Sequence, residues 1–120
     1  PDVLAKAKKA REIYEGLLRR TGVVPLDIRF DRIGIDAISG GMFDDPEEAS
    51  VRECGLRIAV RTRTREEALV AKAHMLRVTL YGPIGLGWGA PAAVRPVISL
   101  WPTLIPREAV SLEVKVREAA

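Results

Sequence analysis

The chain has very few cysteine, histidine and aromatic residues, and these shortages exclude several classes of protein. Its single cysteine, Cys54, cannot form an internal disulfide, and its single histidine, His74, leaves too few soft ligands for a structural zinc site. We therefore predict no metal. The sequence also lacks the roughly 20 consecutive apolar residues that cross a bilayer and the basic-then-apolar leader of a secreted protein. No contact with a membrane is expected, and a cytoplasmic location is predicted.

What is present is the composition of an ordinary globular protein. Of the 120 residues, 48% are hydrophobic and 29% are charged, which argues against disorder over most of the length. A chain of this size predicts one α+β domain, residues 1–120, around a single core. The 19 basic and 16 acidic residues are mixed along the chain, so the net charge of +3 promotes solubility more than it indicates a polyanionic partner. Because the first residue is Pro1 and not methionine, we expect a processed product, a fragment or a separate subunit.

The first part of the chain predicts a helix followed by a strand. Apolar residues recur at steps of three and four between positions 3 and 18, with lysine, arginine and glutamate between them, so an amphipathic helix is predicted. Asp2 is expected to cap its start, and Gly22 to supply the left-handed residue at its end. From Leu26 the apolar period becomes two, as in a strand with one buried face that ends near Ile33.

A second strand and a second helix are predicted in the middle of the chain. Leu56, Ile58 and Val60 alternate with polar residues, which is the clearest strand pattern in the sequence. Thr64 followed by Glu67 matches a capping box and predicts a helix from about residue 65. The inward-facing stripe of this helix is predicted to be Leu69, Ala73, Leu76 and Leu80.

Two more strands are predicted near the C-terminus. Apolar residues alternate over residues 94–101 and again over 112–117, with a turn at 102–106. Pro96 lies within the first segment and suits an edge strand or a bulge, because proline cannot donate to the ladder. The resulting order of elements predicts an α+β fold with an open, largely antiparallel sheet of about four strands and two helices on one face.

The glycine-rich loop at residues 82–91 gives the main candidate site. Phosphate- and dinucleotide-binding loops need a strand before the glycines and a helix after them; here that order is reversed, and no cofactor is predicted. A structural or interface loop is favoured, because Trp88 is large and apolar, over a loop whose backbone approaches a ligand. No catalytic residue is assigned. The candidate ligand-binding or interface residues are Gly82, Gly85, Gly87, Trp88, Gly89, Arg95 and Arg107.

Three other features give weaker candidates. Arginines at positions 57, 61 and 63 share one sheet face, but base-stacking aromatic residues are missing there apart from Trp101, so solvated arginines in cross-strand ion pairs are favoured over nucleic-acid binding. His74 is interpreted as a surface or boundary residue and Cys54 as a half-buried small residue, since the sequence offers no catalytic base or pocket for them. The acidic residues 44–48 lack the ligand spacing of a calcium loop.

Four segments occur in an order that resembles the C-terminal portion of the acyclic terpene utilisation protein family. They are residues 29–36, the glycines at 82–87, residues 94–98 and residues 104–110, within a similarity that covers about residues 10–111. The resemblance implies a bacterial or archaeal cytoplasmic protein that acts within an assembly, near acyl-CoA metabolism. It implies no catalytic residues. Members of the family are longer, so the resemblance also implies a fragment or a subunit that docks on a partner.

The function favoured by the sequence is an interaction domain that forms a homo-oligomer or completes a larger partner subunit. Exposed aromatic and apolar side chains at residues 81–91 and 100–110 are costly for a monomer but common in interface cores. Trp101, Leu104 and Ile105 are the predicted interface residues. The alternative is a small enzyme or ligand-binding domain in which the glycine loop, with Arg95 or Arg107, holds an anionic or acyl-CoA-type ligand.

Overall fold

A computed structural model describes most of the chain, namely residues 2–87, 89, 93–98, 100–111 and 113–116. The first part of the chain contains two helices and two strands. They are α1 (Val3–Arg20), β1 (Asp27–Ile33), β2 (Gly55–Arg61) and α2 (Arg65–Tyr81). Short 3-10 turns lie at Glu48–Ser50 and Arg107–Ala109.

Helix α1 forms as its apolar period predicts and ends at a glycine. The buried face of α1 consists of Ala7, Ala10, Tyr14 and Leu18. Gly22 has a φ of 72°, and the Val23 amide donates to the Leu18 carbonyl over 3.0 Å while the Gly22 amide donates to Arg19 over 3.2 Å. This is a Schellman ending, which satisfies the last carbonyls of the helix. The predicted cap at Asp2 is wrong, because Asp2 has a φ of 65° and its side chain makes no capping hydrogen bond.

Strands β1 and β2 pair antiparallel and present one apolar face. The register places Ile28 opposite Val60 and Phe30 opposite Ile58. These residues are partly buried and pack against the helices, as the alternating pattern predicted. Asp31 points to the opposite face of the sheet.

Helix α2 begins where the sequence predicted but turns a different face inward. The Thr64 hydroxyl accepts from the Glu67 amide over 3.2 Å, and the Glu67 carboxylate accepts in return from the Thr64 amide, so the capping box is confirmed. The buried residues of the helix, however, are Ala71, His74 and Val78. The predicted inward stripe of leucines is exposed, and that prediction is wrong.

The position of Tyr14 explains why the face of α2 that carries Ala71 and His74 is the buried one. The Tyr14 hydroxyl donates to the Ala71 carbonyl over 3.1 Å, and its ring meets Phe30 edge-on with centroids 6.1 Å apart. A small residue at position 71 lets the two helices approach closely enough for this hydrogen bond. Both helices therefore lie on the same face of the sheet, as predicted, with Tyr14 at the centre of the core.

The sheet has two strands where about four were predicted. Residues 94–101 and 112–117 carry the alternating pattern, but those of them that the structure describes are neither helix nor strand. Ser99, Leu112 and Arg117 lie outside the described residues. A strand needs a neighbour for its backbone groups, and no backbone hydrogen bond joins the described residues of these segments to β1 or β2. The fold is thus α+β with an antiparallel pair of strands.

The described chain is much more extended than a compact domain of its length. Its radius of gyration is 21.0 Å, and its extents are 61 × 36 × 33 Å. A compact chain of this length has a radius of gyration of about 14 Å. Among the described residues, no helix combines the length and apolar character needed to span a bilayer.

Candidate functional site

Helix α2 exposes a continuous row of apolar residues on the side facing away from α1. We call this row the outer stripe; it consists of Leu69, Ala73, Leu76 and Leu80. Leu80 is 63% exposed, and the neighbouring Tyr81 and Ile84 are also exposed. Helical spacing of three and four residues aligns such a row along one face. Helix α2 therefore has two apolar faces, of which only one is covered by the rest of the described chain.

The C-terminal part of the chain exposes a second apolar surface. We call it the tail patch; it consists of Ile98, Leu100, Trp101, Leu104 and Ile105. Trp101 is 89% exposed and Leu104 is fully exposed at 100%. Soluble monomers rarely leave contiguous large apolar side chains in water, and such surfaces mark contacts with other molecules.

The glycine loop has a structural role at two of its positions. A Cβ at Gly82 would lie 2.2 Å from the Val78 carbonyl oxygen, and Gly85 has a φ of 96°. Leu86 packs against the core beside these glycines. Gly87 and Gly89 have open space around them, and Trp88 lies outside the described residues. A role of the loop in ligand binding stays a prediction.

A groove of about 910 Å³ lies between β2, α2 and the segment at 93–97. It touches the helix-facing Ile58 and Val60 of β2 as well as Ala59 and Arg61, which point the other way. A surface that meets both faces of a strand runs along its edge, so we call it the β2-edge groove. The apolar residues that line it are Leu26, Ile58, Ala59, Val60, Ala68, Ala71, Met75, Ala93, Val94, Pro96 and Val97.

The charged lining of the β2-edge groove is entirely basic. We call these residues the basic rim; they are Arg61, Arg63, Arg65, Lys72 and Arg95. No aspartate or glutamate lines the groove, and none of the basic rim forms an ion pair within the part of the chain that the structure describes. Glu67 lies in the adjoining helical turn, but its carboxylate already accepts from the Arg63 and Thr64 amides.

Two arginines on the open face of the sheet, Arg29 and Arg57, are in contrast paired with a carboxylate. Asp31 accepts from Arg29 of the same strand over 2.5 Å and from Arg57 of β2 over 2.7 Å. The contact with Arg57 is the kind of cross-strand pair that the sequence indicated. Hydrogen bonds from these two guanidinium groups lower the pKa of Asp31. The prediction of ordinary ion pairs on this face is thus met at Arg57, whereas Arg61 and Arg63 form no ion pair among the described residues.

Arg32 organises the connection between the two strands. Its guanidinium contacts Asp45 over 2.5 Å and Asp36 over 2.6 Å, and these bonds lower the pKa of both carboxyl groups. Asp45 belongs to the acidic run at residues 44–48. No group of three or more histidine, cysteine, aspartate or glutamate side chains in the described part of the chain is arranged to hold a metal ion.

His74 is a buried residue, and the interpretation as a surface or boundary residue is wrong. It is 1% exposed, and its Nε2 lies 3.0 Å from the Thr21 hydroxyl oxygen. That hydroxyl donates to the Leu17 carbonyl, so it accepts from Nε2–H, and Nδ1 is left to accept from Arg77 over 3.4 Å. Burial, and then the charge of Arg77, lower the pKa of His74. The neutral ring is a structural link between the helices.

The predicted site residues fall in different places. Arg95 belongs to the basic rim, whereas Arg107 lies in an exposed 3-10 turn and does not line the groove. Trp101, Leu104 and Ile105 belong to the tail patch. Sequence reasoning missed the outer stripe, which it placed in the core. It singled out Arg61, Arg63 and Arg95 but not Arg65 and Lys72, which complete the basic rim.

Comparison with protein families gives one match. The model of the acyclic terpene utilisation family protein AtuA matches residues 1–116. The match covers nearly the whole chain and more than the C-terminal resemblance noted from the sequence. Neither a curated protein nor a solved structure matches this chain.

Proposed function

Because this chain belongs to the acyclic terpene utilisation family AtuA, we propose that it serves terpene utilisation as an assembly domain. The body formed by α1, α2, β1 and β2 exposes one apolar surface, the outer stripe, and the chain that follows it exposes a second, the tail patch. The single observation that carries the proposal is the exposure of both the outer stripe and the tail patch.

The exposed surfaces are of the kind found at the centre of protein interfaces. The outer stripe is a straight row of leucines on a regular helix, which can pack into the grooves of another helix. The tail patch adds Trp101, and tryptophan is enriched among residues that dominate binding energy. A stable interface covers about 800 Å² on each partner, so both surfaces are expected to contribute.

A second copy of the chain is the partner that we favour. Two copies related by a twofold axis would present the same outer stripe to each other, and this self-complementary arrangement is the commonest in homo-oligomers. The alternative partner is a longer polypeptide of the same assembly, whose surface would cover the tail patch. We propose a cytoplasmic location for either assembly.

Mass measurement on the purified chain tests the proposal. Light scattering after gel filtration and native mass spectrometry are expected to give a dimer that dissociates on dilution. Leu76→Lys with Leu80→Lys, which places charges in the outer stripe, is expected to give a monomer at every concentration. Trp101→Ala and Trp88→Ala are expected to weaken the dimer and to lower its melting temperature.

Phe43→Ala is the matched control for these variants. Phe43 is large and exposed, belongs to the connection between β1 and β2, and is part of neither the outer stripe nor the tail patch. Its replacement is expected to leave the mass unchanged. A wild-type chain that is monomeric throughout, or a stripe variant that stays dimeric, would refute self-association.

A further inference from the structure

We propose that the β2-edge groove binds an organic anion that carries an apolar body, such as a carboxylate or phosphate ester on a hydrocarbon chain. This inference goes beyond the assembly role, since the groove contains neither the outer stripe nor the tail patch. It also differs from the ligand site predicted at the glycine loop, with which it shares Arg95, because none of the described residues among 82–89 lines the groove.

The charge of the groove selects the sign of its occupant. The basic rim comes from three parts of the chain: Arg61 at the end of β2, Arg65 and Lys72 on α2, and Arg95 on the segment opposite. Like charges brought together repel each other, and a bound anion relieves that repulsion. Other arginines in the body, such as Arg32 and Arg57, are already paired with aspartates. The groove is lined by five cations that form no ion pair among the described residues.

The size and apolar lining of the groove favour a ligand with a hydrocarbon part. A volume of about 910 Å³ is within the range of small-molecule sites, roughly 300–1,000 Å³. Ile58, Val60 and Met75 supply an apolar floor, beside the small side chains of Ala68 and Ala71 that leave space above α2. A purely polar anion would leave this floor in contact with water, whereas a hydrocarbon chain covers it.

Two macromolecular occupants fit the groove less well. A strand added to the edge of β2 from another copy of residues 94–101 would bring a further Arg95 into the basic rim, and its Pro96 could not donate a backbone hydrogen bond. Single-stranded nucleic acid uses aromatic side chains as stacking platforms, and none of the described residues that line the groove is aromatic. An anion with a hydrocarbon chain can pair with the basic rim and also cover the apolar floor of the groove.

Calorimetric titration of the full chain with sodium decanoate, kept below its micelle concentration, tests the proposal. Decanoate is expected to bind, while decanol, which lacks the charge, and acetate, which lacks the chain, are each expected to bind at least about tenfold more weakly. Affinity is expected to rise roughly fourfold for each methylene added between octanoate and decanoate. Equal binding of decanol and decanoate would overturn the proposal.

Paired variants locate the binding. Arg61→Gln with Arg95→Gln is expected to weaken decanoate binding about tenfold or more, and Arg95→Lys is expected to retain most of it. These side chains are exposed, so the fold is expected to survive, as circular dichroism will check. Arg19→Gln with Arg20→Gln makes the same change of charge at the exposed end of α1 and is expected to have no effect.

Two further outcomes would also overturn the proposal. Equal weakening by both pairs of variants would mean that the anion responds to overall charge and not to the groove. Binding to anionic phospholipid vesicles with no binding of free decanoate would mean that the basic rim meets a membrane surface instead. Weakening confined to the groove pair, with no requirement for vesicles, supports the site.

Discussion

Residues 3–81 and residues 93–116 carry similar apolar patterns, but most of the patterned residues pack together in the first region, whereas those described in the second are mostly exposed. In the first region the patterned residues of α1, β1 and β2 meet in one core around Tyr14. In the second region Trp101 and Leu104 remain exposed, although apolar residues also alternate over 94–101. The difference shows that a pattern specifies which side of a segment is apolar, while burial depends on a neighbour of matching shape and backbone register.

The largest expected effect of a substitution lies in the body. Tyr14→Ala removes a completely buried ring and leaves the Ala71 carbonyl without its hydrogen bond. We expect the free energy of unfolding to fall by about 3–5 kcal/mol, measured by urea denaturation. Tyr14→Phe, which keeps the ring, is expected to cost only about 1–2 kcal/mol. A Tyr14→Ala protein as stable as wild type would contradict the core described above.

Acidification is expected to weaken the body through His74. The unfolded histidine has a pKa near 6.5, and the pKa of the folded residue is lower, so the unfolded chain binds the proton first. Stability from this residue is therefore fully present above about pH 6.5 and declines as the pH falls from there toward the folded pKa. The aspartates paired with Arg29, Arg32 and Arg57 add a separate loss only below about pH 4.

Denaturation measured between pH 7.5 and pH 5 checks the histidine effect. His74→Gln keeps a side-chain amide that can donate to Thr21 but cannot take up a proton. We expect this variant to show a flat stability across that interval. An equal slope in wild type and variant would assign the pH dependence to another group.

Removal of the α2 cap is expected to have a smaller effect. Thr64→Ala deletes the oxygen that accepts from the Glu67 amide. We expect a loss of about 1 kcal/mol in the free energy of unfolding, and Thr64→Ser is expected to retain most of the stability. Thermal and urea denaturation measure both, and an alanine variant without any loss would show that the cap is dispensable.

The smallest expected effect lies in the tail patch. At a concentration at which the chain is monomeric, Trp101→Ala is expected to change the free energy of unfolding by no more than about 0.5 kcal/mol, because the side chain is 89% exposed. The same replacement is expected to weaken assembly at high concentration. A large loss of monomer stability would instead place Trp101 inside the body and remove the contrast between the two regions.

Local signals in the sequence predicted much of the body. The alternation of β1 and β2, the capping box at Thr64 and the glycine ending of α1 each depend on neighbouring residues, and each is present in the structure. The inward face of α2 was not predictable in this way. The leucine row was predicted to face inward because leucine is large and apolar. The close approach of Tyr14 to Ala71, however, requires small residues on the buried side of α2.

The candidate sites were less predictable, because they combine distant parts of the chain. Arg95 was singled out in the sequence, but its position opposite Arg61 and Lys72 depends on the path of the chain after α2. The buried position of His74 likewise depends on Thr21, which lies 53 residues away in the sequence. Strands at 94–101 and 112–117 were expected from alternation alone, which does not state where a pairing neighbour is found.

The contact between Gly82 and the carbonyl of Val78 has a consequence for everything that follows it. At this residue the backbone leaves α2 in a direction that leaves no room for a side chain beside the Val78 carbonyl. An alanine at position 82 would collide with that carbonyl, so either the last turn of α2 or the departing chain would have to shift. The absence of a side chain at Gly82 thus permits the abrupt exit of the backbone from the helix.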